Sequence, residues 1–214
     1  MREIIPENGE SSPQPPAASA IDRDWRDFRV TTFNGQHDTN KETGHPYETK
    51  TLGEIMGARP AFEIKANAPA FIPSQYHSDD ARTHQVQREH GQFVALAGDV
   101  DKGNIPMDRV LELGRRLFGT DTALFVYSSS SATETDKRWR IIVPLKKPVR
   151  FDIWNEAQTA FFDFMEENGV PMDRSLDRAG QPVFLPNVPI DRRDEDGNPN
   201  FYRSYLEGEE GLPL

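Results

Sequence analysis

The segment that most restricts the fold of this chain is an apolar run that ends in two acidic residues. Residues 93–98 read Phe-Val-Ala-Leu-Ala-Gly and lead directly into Asp99-Val100-Asp101. Apolar runs of this length are typical of buried strands, and alternate residues of a strand point to the same face. The pattern therefore predicts a buried strand whose C-terminal end holds the carboxylates of Asp99 and Asp101 side by side.

Two carboxylates at that spacing need a partner. Like charges held close together repel, so one of them must take up a proton or both must bind a cation. Hard divalent ions such as Mg²⁺ and Mn²⁺ prefer oxygen ligands of this kind, and proteins commonly hold such ions to manage a phosphate group. The alternative is a strand that simply ends in a solvated acidic turn, and the pair alone does not decide between the two.

Hydrophobic periodicity and turn residues predict the other elements. Thr51-Leu52-Gly53-Glu54 is typical of a capping box that opens a short helix. The polar segment 34–50 is predicted to be a loop, and 62–76, which prolines interrupt, is predicted to be irregular. Further helices are predicted at 79–90, 104–118 and 151–168, and strands at 27–33, 92–98, 123–127, 139–145 and 183–185. This order indicates an α+β fold with a mixed, largely antiparallel sheet and flanking helices.

Length and composition set the expected domain organisation. The 214 residues suit one domain of ordinary size. Residues 1–22 are rich in Pro, Ser, Glu and Gln and predict a disordered arm. A single domain is expected over 23–203, with its motifs in about 90–190, and a loose acidic tail over 204–214.

Charge and cysteine content narrow the function classes. The net charge of −10 counts against a module that holds duplex DNA by charge alone. The absence of cysteine excludes disulfides and thiol chemistry within this sequence. No apolar run approaches the roughly eighteen residues of a membrane span, so no membrane association is expected, and a cytoplasmic location is the simplest expectation.

Two later segments carry residues suited to phosphate chemistry. A serine run at 128–131 precedes the strand that begins Arg138-Trp139-Arg140, and Pro171-Met172-Asp173 follows the last long helix. Carboxylates can hold a pair of metal ions. The planar guanidinium of arginine can donate two hydrogen bonds to a phosphate, and serine hydroxyls can donate further hydrogen bonds to it.

Together these segments resemble the archaeo-eukaryotic primase superfamily, in its primase–polymerase branch of phages, plasmids and mobile elements. That family carries Asp-x-Asp or Asp-x-Glu after an apolar strand, then Ser-x-His on a following strand, then an apolar residue followed by Asp. Asp99 and Asp101 match the first motif, and Met172-Asp173 matches the third. The second motif departs from the family, since no histidine follows Asp101 and the serine run and 138–140 stand in its place.

The resemblance implies specific roles within about 90–190. Asp99 and Asp101 would bind both of the two metal ions, which would be Mg²⁺ or Mn²⁺, and Asp173 would complete the catalytic site. The residues expected to hold a nucleoside triphosphate are Arg140, Ser128, Ser130 and Arg138.

Several of these residues also have plainer interpretations. Arg138 and Arg140 could face solvent, and the serine run could be a flexible turn. Asp177 competes with Asp173 for the role of third carboxylate. Five histidines precede the acidic pair and are expected at the surface: His37, His45, His77, His84 and His90.

The leading hypothesis is therefore template-directed nucleotidyl transfer by two-metal catalysis, as in a DNA primase or polymerase of phage or mobile-element replication or repair. The expected partners are nucleoside triphosphates, a single-stranded template or primer-template, and a replicative helicase or single-strand binding protein. If the chain is phage-encoded, the cytoplasm is that of the host cell. The first alternative is a non-catalytic relative that binds nucleotide or a replication protein, and the second is a metal-dependent nuclease.

Overall fold

The fold is that of a computed structural model, which describes residues 24–35, 38 and 47–214. The predicted disordered arm at 1–22 and most of the predicted loop at 34–50, with His37 and His45, lie outside the described residues.

Helices and strands alternate irregularly along the described chain. The α-helices are α1 (Leu52–Met56), α2 (His84–His90), α3 (Met107–Phe118) and α4 (Phe151–Glu167). The strands are β1 (Arg29–Asn34), β2 (Glu48–Thr51), β3 (Pro69–Phe71), β4 (Phe93–Val100), β5 (Leu124–Ser128), β6 (Trp139–Val149), β7 (Val183–Phe184) and β8 (Ser204–Glu207). Short 3₁₀ helices occur at Trp25–Asp27, Lys65–Asn67, Arg174–Asp177 and Ile190–Arg192.

The strands form two four-stranded sheets in which every pairing between named strands is antiparallel. The first sheet has the order β2-β1-β3-β7 and the second β4-β6-β5-β8. One large apolar core contains residues from both sheets and from the helices, and a small second cluster lies around Phe33 and Ile72. The predicted α+β class with antiparallel pairing is confirmed, but the strands divide between two sheets where one was expected.

The predicted long elements agree with the structure to within a few residues. Thr51 and Glu54 form the predicted capping box at the start of α1. Trp139 and Phe161 are buried in the core, as expected for strand and helix residues with apolar neighbours. Among the described residues, none of the helices combines the length and the apolar character that a membrane crossing requires.

Helix α4 fixes the position of β4, which stands at one edge of the second sheet. The indole N–H of Trp154 donates a hydrogen bond to the Ala95 carbonyl at 2.9 Å. The side chain of Gln158 accepts from the Ala97 amide at 3.1 Å and donates to the Ala97 carbonyl. These contacts satisfy main-chain groups of β4 that no neighbouring strand reaches, and they hold the residues just before Asp99.

The C-terminal segment 204–214 differs from the loose tail that its acidic composition predicts. Residues 204–207 form β8, which pairs with β5. Beyond β8, the Ala123 amide donates to the Glu210 carbonyl at 2.7 Å, and the Leu212 amide donates to the Pro144 carbonyl at 2.8 Å. Main-chain hydrogen bonds of this kind do not depend on side-chain composition, so the sequence pattern gave no sign of them.

Candidate functional site

Three carboxylates meet at the end of strand β4. Asp99 lies within β4, Asp101 follows its last residue, and Asp173 precedes the 3₁₀ helix 174–177. One ligand oxygen from each of the three lies within 4.8 Å of the others. Asp173 therefore joins the cluster, as the sequence favoured, while Asp177 does not belong to it.

The main chain of Asp173 is attached directly to β4. Its amide donates a hydrogen bond to the Asp99 carbonyl at 2.9 Å. Gly98 allows this approach, because a Cβ atom at that position would lie 2.7 Å from the methyl carbon of Met172. The Asp173 carboxylate accepts hydrogen bonds from the amide and the hydroxyl of Ser175, each at 2.9 Å. The third carboxylate is thus oriented by its own turn and anchored to the strand that carries the first.

Arg140 pairs with Asp99 across the sheet. The two residues are direct partners in the β4–β6 register, and Nη2 of Arg140 donates to Oδ2 of Asp99 at 2.7 Å. Only 12% of the Arg140 side chain and 8% of the Asp99 side chain are exposed. The Arg140 guanidinium also lies 5.2 Å from the centre of the Phe184 ring. This largely buried arginine therefore serves the carboxylate cluster as its counter-charge.

Burial dominates the protonation of Asp99. Burial raises the pKa of the Asp99 carboxyl against the opposing effect of Arg140, and the charges of Asp101 and Asp173 raise it as well; the resulting pKa is about 6. Lys65 acts in the other direction. Oδ1 of Asp99 is buried and has no hydrogen-bond partner among the described residues. A buried acceptor without a donor is costly.

The cluster fits a divalent metal ion. All of its donors are carboxylate oxygens, which suit Mg²⁺ and Mn²⁺. The unpartnered Oδ1 of Asp99 supplies an acceptor that a cation would satisfy. Asp101 and Asp173 also line a cavity of about 440 Å³. The three carboxylates could therefore hold a metal ion within reach of a ligand from solvent.

Two of the other residues predicted to bind nucleotide, Ser128 and Arg138, have protein partners. The Ser128 hydroxyl is buried, donates to the Arg203 carbonyl at 3.1 Å and accepts from the Arg203 amide at 2.8 Å. Arg138 forms an ion pair with Asp136 at 2.7 Å. Ser130 lines a separate cavity of about 460 Å³. The structure brings Arg140 to the carboxylates. The pKa of Arg138 is raised mainly by Asp136 and also by Asp101 and Asp99, so Arg138 lies near the cluster as well.

A second cavity next to the Asp99–Arg140 pair has a cationic lining that the sequence analysis missed. Its volume is about 430 Å³, and Lys65, Arg82 and His84 line it together with Phe184. The backbone carbonyl of Phe184 accepts from Arg140 at 3.5 Å. The cavity is therefore adjacent to the carboxylate cluster. Lys65 comes from the segment at 62–76, and Arg82 lies just before α2, so no spacing rule connects these two cations.

His84 has a defined tautomer in this lining. Its Nδ1 accepts a hydrogen bond from the Gly180 amide at 3.0 Å, so the ring proton resides on Nε2. Partial burial lowers the pKa of His84, with Arg178 and Arg88 acting in the same direction. The residue is exposed, as expected from the sequence. As a neutral ring it can donate one hydrogen bond to an anion in the cavity.

Comparison with known proteins finds similarity only to solved structures. No family model and no curated protein matches the chain. The AEP domain of the cyanophage S-2L primase-polymerase is similar at 11% sequence identity and a TM-score of 0.44, over 89% of this chain and 86% of that one. The polymerase domain of Mycobacterium tuberculosis ligase D, in complex with DNA, is similar at 12% identity and a TM-score of 0.38, over 84% of this chain and 74% of that one. At these identities and scores the two likenesses carry no function, and the geometry of the site supports the function proposed below.

Proposed function

We propose that this chain is a template-directed nucleotidyltransferase of the primase–polymerase kind. The observation that carries the proposal is the meeting of Asp99, Asp101 and Asp173 within 4.8 Å, with one buried oxygen of Asp99 lacking a hydrogen-bond donor. A phosphoryl-transfer site needs groups that hold metal ions and groups that hold phosphate. The acidic cluster would hold the metal, and the cationic cavity beside it would hold the phosphate.

The three carboxylates would hold Mg²⁺ or Mn²⁺. Metal bound there supplies activation of an attacking hydroxyl and neutralisation of the charge on a leaving pyrophosphate. Arg140 keeps Asp99 ionised and fixes the direction of its carboxylate through the contact at 2.7 Å. Asp173 stays in place because Ser175 holds its carboxylate.

The phosphates of an incoming nucleotide would lie in the cationic cavity. Lys65 and Arg82 supply positive charge there, and His84 supplies an N–H donor. In this arrangement Arg140 keeps its contact with Asp99 and does not need to bind the phosphates. The direct triphosphate contacts predicted for Arg140, Ser128, Ser130 and Arg138 stay predictions.

Nucleotide is expected to stabilise the protein only together with metal. A triphosphate alone meets a site with three carboxylates, whereas bound metal reverses the local charge. At about a hundred times its dissociation constant, a ligand adds about 2.7 kcal/mol to the free energy of unfolding. Thermal melting with a nucleoside triphosphate, with and without Mn²⁺, measures the effect. Lys65→Ala should reduce the shift, and Lys147→Ala, an exposed lysine of β6 outside this lining, should leave it unchanged.

An equal shift without metal would separate the nucleotide site from the carboxylates. The proposed enzyme would then give way to the non-catalytic nucleotide-binding protein. The Asp99–Arg140 ion pair supports that second candidate, because it neutralises the most buried carboxylate of the cluster without any metal. A nuclease is the remaining alternative, and loss of labelled DNA in the presence of Mn²⁺ and absence of nucleotides would identify it.

Metal affinity is expected to fall in acid. The folded-state pKa of Asp99 is raised to about 6 from 3.8, so the folded protein favours the protonated carboxyl. The contribution of this group to the free energy of unfolding is therefore lost as the pH rises from about 4 through about 6. A metal ion binds only the deprotonated form of the Asp99 carboxyl. Mn²⁺ should therefore bind about tenfold more weakly at about pH 5 than at about pH 7 by isothermal titration calorimetry. Equal affinities at both values would remove Asp99 from the metal site.

The biological setting proposed with this function comes from the sequence resemblance. It comprises a role in phage or mobile-element replication or repair, a cytoplasmic location, and partnership with a helicase or single-strand binding protein. Co-purification of the full chain with such proteins would test it.

A further inference from the structure

The phenolic hydroxyl of Tyr127 is a buried polar group that the proposed function has not yet used. Tyr127 lies in β5, and its side chain is buried. The hydroxyl donates a hydrogen bond to the backbone carbonyl of Phe184 at 2.6 Å. Burial raises the pKa of this hydroxyl, so it keeps its proton and stays a donor at neutral pH.

Tyr127 belongs to a row of polar side chains that crosses three neighbouring strands. In the strand register, Arg140 of β6 is directly opposite Asp99 of β4 on one side and Tyr127 of β5 on the other. Residues directly opposite each other in paired strands point to the same face of a sheet. The carboxylate, the guanidinium and the phenol therefore lie side by side on one face of the second sheet.

The acceptor of the Tyr127 hydroxyl belongs to the other sheet. Phe184 is the last residue of β7, which is an edge strand of the first sheet. Strand β7 has two residues and pairs with β3, so few main-chain hydrogen bonds of the sheet fix its position. The hydrogen bond from Tyr127 attaches this short strand to the second sheet.

Two groups of the second sheet donate to the Phe184 carbonyl, and Tyr127 makes the closer contact. Its hydroxyl lies 2.6 Å from the carbonyl oxygen, whereas Nη1 of Arg140 lies 3.5 Å from it. Hydrogen bonds from N–H groups are usually about 2.9–3.0 Å long, so the contact with Arg140 is weak. Arg140 makes its short hydrogen bond, at 2.7 Å, with Asp99. Tyr127 is therefore the main attachment of Phe184 to the second sheet.

Strand β7 and the segment before it form part of the cationic cavity. Residues 180–182 and Phe184 line this cavity. The Gly180 amide also donates to Nδ1 of His84, so the same segment orients one of the groups proposed to contact phosphate. A displacement of Phe184 would therefore change the cavity, whereas Asp99 would stay in place because α4 holds the neighbouring residues of β4.

We propose that Tyr127 is a positioning residue, which sets the position of the cationic cavity relative to the carboxylate cluster through the Phe184 carbonyl. The inference rests on the proposed function, in which the cavity holds phosphates and the carboxylates hold metal ions. Transfer of a nucleotidyl group needs these two ligands in a fixed relative position. The Tyr127 hydroxyl is engaged by Phe184, so it acts through β7 and not by contact with a nucleotide.

The first test is hydrogen exchange, followed by mass spectrometry, on the protein without metal or nucleotide. Tyr127→Phe removes the hydroxyl and keeps the ring, which is stacked on Phe125 at 4.9 Å between centres. Peptides that cover 180–185 should exchange roughly fivefold faster or more, the factor that corresponds to leaving a buried acceptor without its donor. Peptides that cover β4 should exchange at the wild-type rate. Unchanged exchange over 180–185, or equally faster exchange over β4, would overturn the proposal.

The second test compares the affinities for the two ligands by isothermal titration calorimetry. Tyr127→Phe should bind a nucleoside triphosphate, in the presence of Mn²⁺, about fivefold more weakly or worse, because part of the binding energy is needed to restore the position of β7. Its affinity for Mn²⁺ alone should equal that of the wild type. Thr31→Val is the matched control, because it removes another buried hydroxyl that donates to a backbone carbonyl, that of Tyr76 at 3.2 Å, outside the cavity lining. It should change neither affinity.

A purely structural role for Tyr127 predicts a different result. Tyr127→Phe would then melt at a lower temperature and bind both ligands with wild-type affinity, which would overturn the proposal. Equal weakening of Mn²⁺ and nucleotide binding would also overturn it. A wild-type protein that binds Mn²⁺ but no nucleotide would contradict the proposed function instead, and hydrogen exchange over 180–185 would still decide whether Tyr127 fixes β7.

Discussion

Asp101→Ala is expected to reduce primer extension by roughly a thousandfold or more, the scale seen when an essential catalytic group is removed. Asp101 lines the cavity beside the cluster and is one of its three ligands. Its side chain makes no hydrogen bond within the described part of the chain, so its removal should not disturb the fold. Loss of a like charge near Asp99 should leave the melting temperature of the metal-free protein unchanged or slightly higher.

The matched control for this variant is Asp177→Ala. Asp177 belongs to the same 3₁₀ helix that Asp173 precedes, yet it lies outside the carboxylate cluster. It should extend primers at a rate close to that of the wild type, with Mn²⁺ or Mg²⁺. Near-normal extension by Asp101→Ala would remove the acidic pair from catalysis, whatever the behaviour of Asp177→Ala.

Arg140→Ala is expected to destabilise the metal-free protein on the order of 3–5 kcal/mol, because it leaves the buried carboxylate of Asp99 without its counter-charge. Arg140 lowers the pKa of Asp99, so its loss raises that pKa above the present value of about 6. A raised folded-state pKa costs stability as the pH increases. Urea unfolding should therefore show a larger loss at about pH 8 than at about pH 5.

Two variants show whether the pair is responsible. Arg138→Ala removes the ion pair to Asp136, whose side chains are 32% and 48% exposed, and should cost at most about 1 kcal/mol. The double variant Asp99→Ala with Arg140→Ala removes both buried charges and should recover part of the loss. If Arg138→Ala and Arg140→Ala lowered the free energy of unfolding equally, the ion pair with Asp99 would contribute no more than an exposed ion pair.

Strong local patterns explain what the sequence predicted well. Strand β4 has eight consecutive buried residues, and α3 and α4 are long helices. The hydrophobic patterns of these segments are compatible with few other secondary structures. Asp173 was also predicted to join the cluster, although only a resemblance connected it to Asp99. The contact itself depends on a main-chain hydrogen bond and on the small size of Gly98, which no periodicity shows.

The less predictable parts depend on distant contacts. Strands β3 and β7 have only three and two residues, too few for an alternating pattern. The pairing of Arg140 with Asp99 requires the register of β4 against β6, and a sequence does not give strand register. Lys65 and His84 line one cavity together with Ala70 and Phe184, which are paired residues of β3 and β7. Interactions between segments far apart in the chain thus decide most of the candidate site.

The attachment of helix α4 to β4 has a consequence for aggregation. Strand β4 is entirely buried and apolar up to Asp99, and it stands at a sheet edge, which is the kind of segment that another chain could extend by intermolecular β-pairing. Trp154 and Gln158 occupy its main-chain groups at Ala95 and Ala97, and so block that route. The side chains that align the first carboxylate therefore also protect this apolar edge strand from self-association.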